Sequence, residues 1–473
     1  MKKYILIPLV AVAAMTGCKD FLTEEPILSQ SNELILSTFD GLDKATAGAY
    51  SPLASTSWYG EDFILYHELK TSNGKKFIGS TYDSGRCNDM YNINFNENNT
   101  IALWGTAYYV ISAVNNVMDN LEGKEGVGVT AQDLDNLKAE CLFLRALAHF
   151  DLVRTYAQPY CYTNDASHDG VPVVLHTDPS GKPARESVAA VYQQIIEDLA
   201  EAEKIIDPTY VRSGKDPRSF VSIYAIQALL SRAYLYTEQW QEAAKYADAV
   251  IKSGKYSLWK PADFKDAACY TEDVPTGGEV IFEVYGSKTN SYDGYHDGLS
   301  PMTGPNGYGD AGCSNDLISL YEASDVRGGL FQKDEKEGVT WTAKYQGKGQ
   351  GKPDVNNTIV LRLSEMYLNL AEAVANGATG YNGVEALATL AAQRNATAQQ
   401  CTKAGVYLER QKELAWEAHL WFDLARTKRD MTRTDFVGSA SAKDVEWGSY
   451  KWAMPIPLRE YGVNPNLTHN PGY

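Results

Sequence analysis

The strongest constraint on the fold is a pair of periodic segments between Ser219 and Ser253. Apolar and small residues recur every three to four positions, which predicts two amphipathic helices over about 219–237 and 239–253. Small residues fall where two antiparallel helices would cross. Neither helix can bury its apolar face alone, so further helix pairs must stack against this one. The positions that set the spacing are Leu230, Ser231, Tyr234, Trp240, Ala243, Ala247 and Val250.

This spacing fits a tetratricopeptide repeat, and a looser second copy runs from Ile359 to Arg394. Strand signals are short and few, and the best is Val280–Val284. We therefore predict a mostly α-helical fold, a tetratricopeptide-like superhelix forming one domain over 31–473 rather than the roughly three domains suggested by length. The other predicted helices span about 40–53, 99–117, 133–156, 187–206, 316–322, 359–376, 384–394 and 404–429.

Two polar stretches, 54–98 and 285–315, interrupt the helices with Gly, Asn, Ser and Tyr and show no sustained periodicity. Loops this long are uncommon unless they are functional or disordered, and their aromatic residues argue against disorder. The chain has 31 Tyr against 13 Phe, an excess that suits wet binding surfaces, although half-buried core positions would account for most of these tyrosines. We therefore expect the two stretches to be functional loops.

The N-terminus has the pattern of a targeting segment. Two lysines precede a short apolar run over 4–15, and Gly17 and Cys18 follow. This predicts a signal peptide over 1–17, and the run before the cysteine resembles a bacterial lipoprotein box with Cys18 as the lipid-modified residue. The acidic segment 18–30 then predicts a tether. No later stretch supplies the roughly 20 apolar residues that a spanning helix needs.

Composition and motifs exclude several functional classes. The net charge of −17 argues against a nucleic-acid partner, because such binding requires a basic surface. The sequence has no HExxH, GxSxG or P-loop motif, and its cysteines show no CxxC spacing. His149 lies in an apolar helix with no partner at metal-ligand spacing, so we interpret it as a core histidine. We expect no cofactor and no metal.

One charged helix allows a catalytic interpretation. Glu413 and Glu417 are one helical turn apart and could be the paired carboxylates of a glycosidase. Such a pair must flank an open groove at about 5–10 Å separation. Trp416, Trp421 and Phe422 surround these two residues, which favours a packed ion-pair network instead.

Five segments, taken in order, carry recognisable motifs. They are AECLFLRALAHFDLVR at 139–154, GVPVV at 170–174, LRLSEMYLNLAEA at 361–373, WFDLAR at 421–426, and PIP at 455–457 followed by NPGY at 470–473. Together with the lipoprotein box, they resemble the SusD/RagB-type outer-membrane lipoproteins of Bacteroidetes. The resemblance spans nearly the whole chain.

The resemblance implies a helical, tetratricopeptide-like scaffold that carries a variable ligand face and has no catalytic activity. It further implies a lipid-anchored protein on the cell surface at the outer membrane. Such a protein captures oligosaccharide or polysaccharide and delivers it to a SusC-like TonB-dependent transporter. Two alternatives stay open: a RagB-like lid of a peptide importer, and a surface glycoside hydrolase.

Candidate ligand-binding residues follow from the chemistry of sugars. A sugar ring stacks its C–H face on Trp or Tyr, and its hydroxyls pair with amide, carboxylate or guanidinium groups. Two regions supply both kinds of group. The first contains Trp58, Tyr59, Tyr82, Asp83, Arg86, Asn88, Asp89 and Tyr91. The second contains Tyr285, Asn290, Tyr292, Tyr295, His296 and Tyr308, with Trp341 nearby in sequence, whereas Trp104 is expected in the core.

Overall fold

The computed structural model describes residues 35–212, 217–271, 278–286, 298–347 and 356–473. The predicted signal peptide, the tether and Cys18 lie outside the described residues, and the single-domain organisation stays a prediction. Among the helices of the described ranges, none combines the length and the apolar character that crossing a bilayer requires.

The predicted mostly α-helical fold is confirmed, since helices dominate the described ranges and strands are few and short. The helices are α1 (Phe39–Ala49), α2 (Asp62–Leu69), α3 (Asn88–Asn92), α4 (Leu103–Met118), α5 (Ala131–Tyr156), α6 (Val188–Ile205), α7 (Ile223–Tyr236), α8 (Trp240–Lys252), α9 (Ala268–Thr271), α10 (Leu299–Met302), α11 (Asn315–Ile318), α12 (Leu363–Ala375), α13 (Gly383–Ala392), α14 (Lys403–Glu413), α15 (Leu420–Arg426) and α16 (Leu458–Val463).

The strands form four antiparallel pairs: β1 with β3, β2 with β6, β4 with β5, and β7 with β8. Their bounds are β1 (Gly74–Lys76), β2 (Val280–Val284), β3 (Ala311–Cys313), β4 (Phe331–Asp334), β5 (Val339–Thr342), β6 (Thr358–Arg362), β7 (Met431–Thr432) and β8 (Asp444–Val445). The strand predicted at 280–284 is therefore confirmed.

The helices stack in chain order, as the repeat spacing predicts. Helix α4 packs on α5, α5 on α6, α6 on α7 and α7 on α8, while α8 packs on α12, which in turn contacts α13 and α14. At the crossing of α7 and α8, the Ser231 hydroxyl donates a hydrogen bond to the Ala243 carbonyl at 3.0 Å. Ala243 and Ala247 are fully buried there. Small side chains thus let the two backbones approach closely.

Helix α5 forms the centre of the core. Its N-terminus is fixed by a capping box, in which the Thr130 side chain accepts from the Asp133 N–H and the Asp133 side chain accepts from the Thr130 N–H. Almost every residue from Leu137 to Tyr156 is buried, including the predicted core histidine His149. Trp104 of α4 is buried as expected and lies 5.1 Å from the Tyr156 ring.

The helix predicted at 316–322 ends at Ile318, and two other predicted helices differ more strongly from the observed ones. The helix predicted at 359–376 begins only at Leu363, because residues 358–362 form β6 and pair with β2. The helix predicted at 404–429 is broken into α14 and α15. Trp416 and Ala418 adopt positive φ values of 65° and 58° in the break, and the Ala418 N–H donates to Glu68 Oε1 at 2.8 Å. This buried contact helps to fix the turn.

The stretch 54–98, predicted as a loop, contains α2, β1 and α3. Helix α2 is buried on nearly all sides, with Phe63, Ile64, Leu65 and Leu69 in the core. A helix that is apolar all round produces no periodic stripe, which explains why the pattern missed it. The stretch 285–315 likewise contributes α10 and β3 within its described part.

Candidate functional site

Trp58 and Tyr59 lie in the core and not on a binding face. They are 0% and 3% exposed. The indole Nε1–H and the phenol O–H both donate to Asp151 Oδ2, at 2.7 and 2.6 Å. Asp151 Oδ1 accepts from the Arg154 guanidinium at 2.6 Å. Protein atoms therefore already cover the rings and satisfy the polar tips, and both residues are removed from the predicted ligand-contact set.

Tyr91 and Trp341 are also buried, which corrects their predicted role. The Tyr91 ring packs against Phe436 with a centroid separation of 4.8 Å. The Trp341 indole N–H donates to the Gly309 carbonyl at 2.8 Å, and its ring supports Tyr82 edge-on at 4.7 Å between centroids. Trp341 thus supports Tyr82 from below, and its own ring is not accessible to a ligand.

The structure joins the two predicted regions at one surface, which we call the aromatic patch: Tyr82, Asp83, Arg86 and Tyr308. The antiparallel pair β1–β3 places residues 77–87 beside residues 303–310. The Arg86 Nη2 donates to the Tyr308 hydroxyl at 2.9 Å, and the Arg86 guanidinium lies 4.1 Å from the Tyr308 ring centroid. Asp83 and Arg86 are exposed, while Tyr82 and Tyr308 are half-buried.

Buried polar groups fix the loop that carries the patch. Asp310, fully buried, accepts hydrogen bonds from the Ser84 hydroxyl at 2.9 Å and from the Cys87 N–H at 3.0 Å. The buried Lys76 amine pairs with Asp83 and lies 3.5 Å from Asp310 Oδ1. The hydrogen bond from Lys76 lowers the pKa of Asp83, so this carboxylate is ionised at neutral pH. The patch is therefore held in place before any ligand arrives.

Acidic groups of the β4–β5 hairpin complete the edge of the patch. The Tyr82 hydroxyl donates to Asp334 Oδ2 at 3.2 Å, and Glu337 accepts from the Thr81 N–H at 3.3 Å. Sequence analysis did not identify these two residues. The sequence does contain a signal for this hairpin, since the acidic turn 334–338 ends in glycine and separates two short strand-like segments.

The remaining predicted residues lie elsewhere. Asn88 is exposed at the start of α3, and Asp89 accepts from the side-chain amides of Asn94 and Asn99. Tyr285 is 48% exposed at the end of β2, in a different strand pair from the patch. The predicted residues Asn290, Tyr292, Tyr295 and His296 lie outside the described residues.

The interpretation of Glu413 and Glu417 as members of an ion-pair network is confirmed. Both are buried and meet at Arg362, with distances of 2.7 Å from Nη1 to Glu413 and 2.8 Å from Nε to Glu417. Glu413 also pairs with Arg327 and Arg394, each at 2.8 Å. Burial alone would raise the pKa of Glu413, but its three guanidinium partners hold it well below the usual value. A carboxyl held ionised cannot donate the proton that glycoside hydrolysis requires.

Within the described ranges, no group of three His, Cys, Asp or Glu residues has the geometry to hold a metal ion. The aromatic patch instead offers a carboxylate, a guanidinium plane and phenol groups on a rigid base. These are the groups that suit hydroxyl-rich rings.

Comparisons with known proteins agree with this architecture. A family model described as "Starch-binding associating with outer membrane" matches residues 20–235, and one described as "SusD family" matches residues 336–473. The SusD-like protein P2 of Formosa agariphila is 25% identical, with 100% of each chain covered.

Solved structures of similar fold come from Bacteroides species. A SusD superfamily protein from Bacteroides vulgatus is 29% identical with a TM-score of 0.81, covering 92% of this chain and 99% of its own. A SusD superfamily protein from Bacteroides thetaiotaomicron is 27% identical with a TM-score of 0.79, covering 92% of this chain and 100% of its own.

Proposed function

Because this chain belongs to the SusD-like family, we propose that it is a non-catalytic glycan-binding protein that captures oligosaccharide or polysaccharide at the cell surface. The observation that carries the proposal is the aromatic patch, where ring, guanidinium and carboxylate groups of two separate loops meet on a buried base. In the proposal, Cys18 carries the lipid anchor at the outer membrane, and a SusC-like TonB-dependent transporter receives the captured glycan.

The contacts of the patch suit a sugar in three ways. The half-buried Tyr82 ring is held edge-on by Trp341, so it would lose little conformational freedom on binding. Asp83 accepts hydrogen bonds from hydroxyls as a carboxylate. The planar Arg86 guanidinium covers one face of the Tyr308 ring. A sugar ring would stack on the guanidinium, or would displace the guanidinium and stack on the Tyr308 ring.

Replacing Arg86 with Met is expected to weaken polysaccharide binding about 10-fold or more, because hydrogen bonds to a charged group contribute roughly 1.5–3 kcal/mol. Tyr82→Ala is expected to have an effect of similar size. Affinity gel electrophoresis against a panel of soluble polysaccharides that includes starch would measure the effect, with a peptide mixture tested in parallel by calorimetry.

Tyr109→Ala is the matched control, since Tyr109 is 65% exposed on α4 and outside the patch. The proposal fails if peptides bind while every polysaccharide leaves the protein unretarded, which would favour the peptide-importer alternative. It also fails if Tyr109→Ala weakens binding as much as Tyr82→Ala. Release of reducing ends from a bound glycan would support the hydrolase alternative.

The anchor and the transporter partnership have their own test. Cells that express the full chain are expected to incorporate labelled palmitate into it, and Cys18→Ala should abolish the labelling. Membrane extracts should contain the chain in a complex with a TonB-dependent transporter. Labelling that persists in Cys18→Ala would refute the anchor, and purification without any transporter would refute the partnership.

A further inference from the structure

A cavity lies among the helices, on elements that contribute nothing to the aromatic patch. Its volume is about 340 Å³. The turn before α8, the end of α12, helix α14 and the end of α15 enclose it. Ligand pockets in proteins begin at roughly 300 Å³, so this cavity is large enough for a single sugar unit. It is lined by Glu238, Trp240, Glu372, Asn376, Lys403, Tyr407, Arg410, Arg426, Thr427, Lys428 and Arg429.

Five of the lining side chains are cationic and two are acidic, in a protein whose net charge is −17. Two of the five cations are neutralised within the protein. Arg426 pairs with Glu372 and with Asp423, at 2.5 and 2.6 Å, and Arg410 donates to Asp423 at 3.0 Å. These buried pairs form a rigid floor with little net charge.

The other three cations, Lys403, Lys428 and Arg429, form no ion pair among the described residues. The Arg429 guanidinium lies 4.2 Å from the Tyr407 ring centroid, which orients its plane. The side-chain Nε of Arg429 is buried without a hydrogen-bond acceptor. The backbone N–H of Arg429 closes the turn after α15 by donating to the Leu424 carbonyl at 3.0 Å. The Arg429 side chain as a whole is half-buried and lines the cavity, so it places a positive charge at the cavity wall.

We propose that this cavity binds a uronic acid unit, with the sugar carboxylate on the Arg429 guanidinium. The planar fork of a guanidinium matches a carboxylate with two parallel hydrogen bonds, and Lys403 and Lys428 add positive charge beside it. Trp240 supplies an aromatic wall for the ring, while Glu238 and Asn376 supply acceptors for its hydroxyls. The inference goes beyond the proposed function, because it assigns a separate site that shares no residue with the aromatic patch.

Titration calorimetry with D-galacturonate, and with D-galactose as the neutral match, tests the proposal. Galacturonate is expected to bind and galactose is not, and the affinity should fall as salt is added. Arg429→Gln is expected to weaken galacturonate binding about 10-fold or more. Lys403→Gln, at an exposed position, should weaken it as well.

Lys443→Gln is the matched control, because it removes one exposed positive charge that does not line the cavity. Thermal melting of each variant checks the fold. The proposal is overturned if galactose binds as well as galacturonate, if inorganic sulfate competes with equal affinity, or if Arg429→Gln binds galacturonate as the unmodified chain does. An outcome in which the patch variants lose polysaccharide binding while galacturonate binding persists supports two separate sites.

Discussion

Replacing Arg362 with Met is expected to lower the free energy of unfolding by about 3–5 kcal/mol, because the change leaves buried carboxylates without their central cation. The guanidinium lies 3.2 Å from Glu279, 2.7 Å from Glu413 and 2.8 Å from Glu417, and all four side chains are nearly inaccessible to solvent. Urea denaturation at neutral pH, followed by tryptophan fluorescence, would measure the loss.

Arg459→Met is the control for this experiment. Arg459 pairs with Glu460 on the surface, where ion pairs contribute about 0–1 kcal/mol. The double variant Arg362→Met with Glu417→Gln should be less destabilised than the sum of the two single changes, since it removes a buried charge together with its partner. Equal losses in Arg362→Met and Arg459→Met would contradict the assigned role of the network.

Acidification from about pH 6.5 to 5.5 is expected to cost roughly 2–3 kcal/mol of stability, because three buried histidines are neutral in the fold. Burial lowers the pKa of His149 to about 3 and holds the pKa of His67 and His419 well below the usual value. In His149, Nδ1 lies 3.1 Å from the Arg145 carbonyl, and Nε2 accepts from the Val174 N–H at 3.4 Å. That pattern requires the neutral ring.

The direction of this change in stability follows from proton binding. Below pH 6.5 the unfolded chain protonates these histidines and the folded chain does not, so each histidine costs about 1 kcal/mol of stability between pH 6.5 and 5.5. Glu68 acts in the opposite direction, because burial raises its pKa to about 7 and the folded chain then binds a proton that the unfolded chain lacks above pH 4.5. The net expectation is a loss on acidification.

Unfolding free energies measured at several pH values would show this slope. His149→Gln should reduce the loss between pH 6.5 and 5.5 by about 1 kcal/mol. His176→Gln is the control for the change of residue type, because the His176 side chain is 83% exposed on the surface. A stability that stays flat across this range would show that the buried histidines do not control it.

The helical scaffold could be predicted because its information is local. Small residues at the crossing of α7 and α8, such as Ala243 and Ala247, give the periodic signal directly. The break between α14 and α15 could not be predicted, since neither Trp416 nor Ala418 is a residue type that marks a positive φ. The contact of Ala418 with Glu68 spans 350 positions of sequence.

The candidate site was predicted in part. Residue types pointed to a surface that includes Tyr82, Asp83, Arg86 and Tyr308. These side chains do lie together, because short loops next to the β1–β3 strand pair carry them. Residue type alone could not distinguish these residues from Trp58 and Tyr59, whose burial depends on Asp151, more than 90 positions away. Contacts at this separation leave no signal in the local sequence pattern.

The ion-pair network also has a consequence for the order of synthesis. Arg327, Arg362 and Arg394 emerge from the ribosome before Glu413, the carboxylate that all three share. A nascent chain that has not reached this glutamate holds three guanidinium groups whose common counter-charge is absent. This ion-pair network is therefore completed only after translation has passed residue 413.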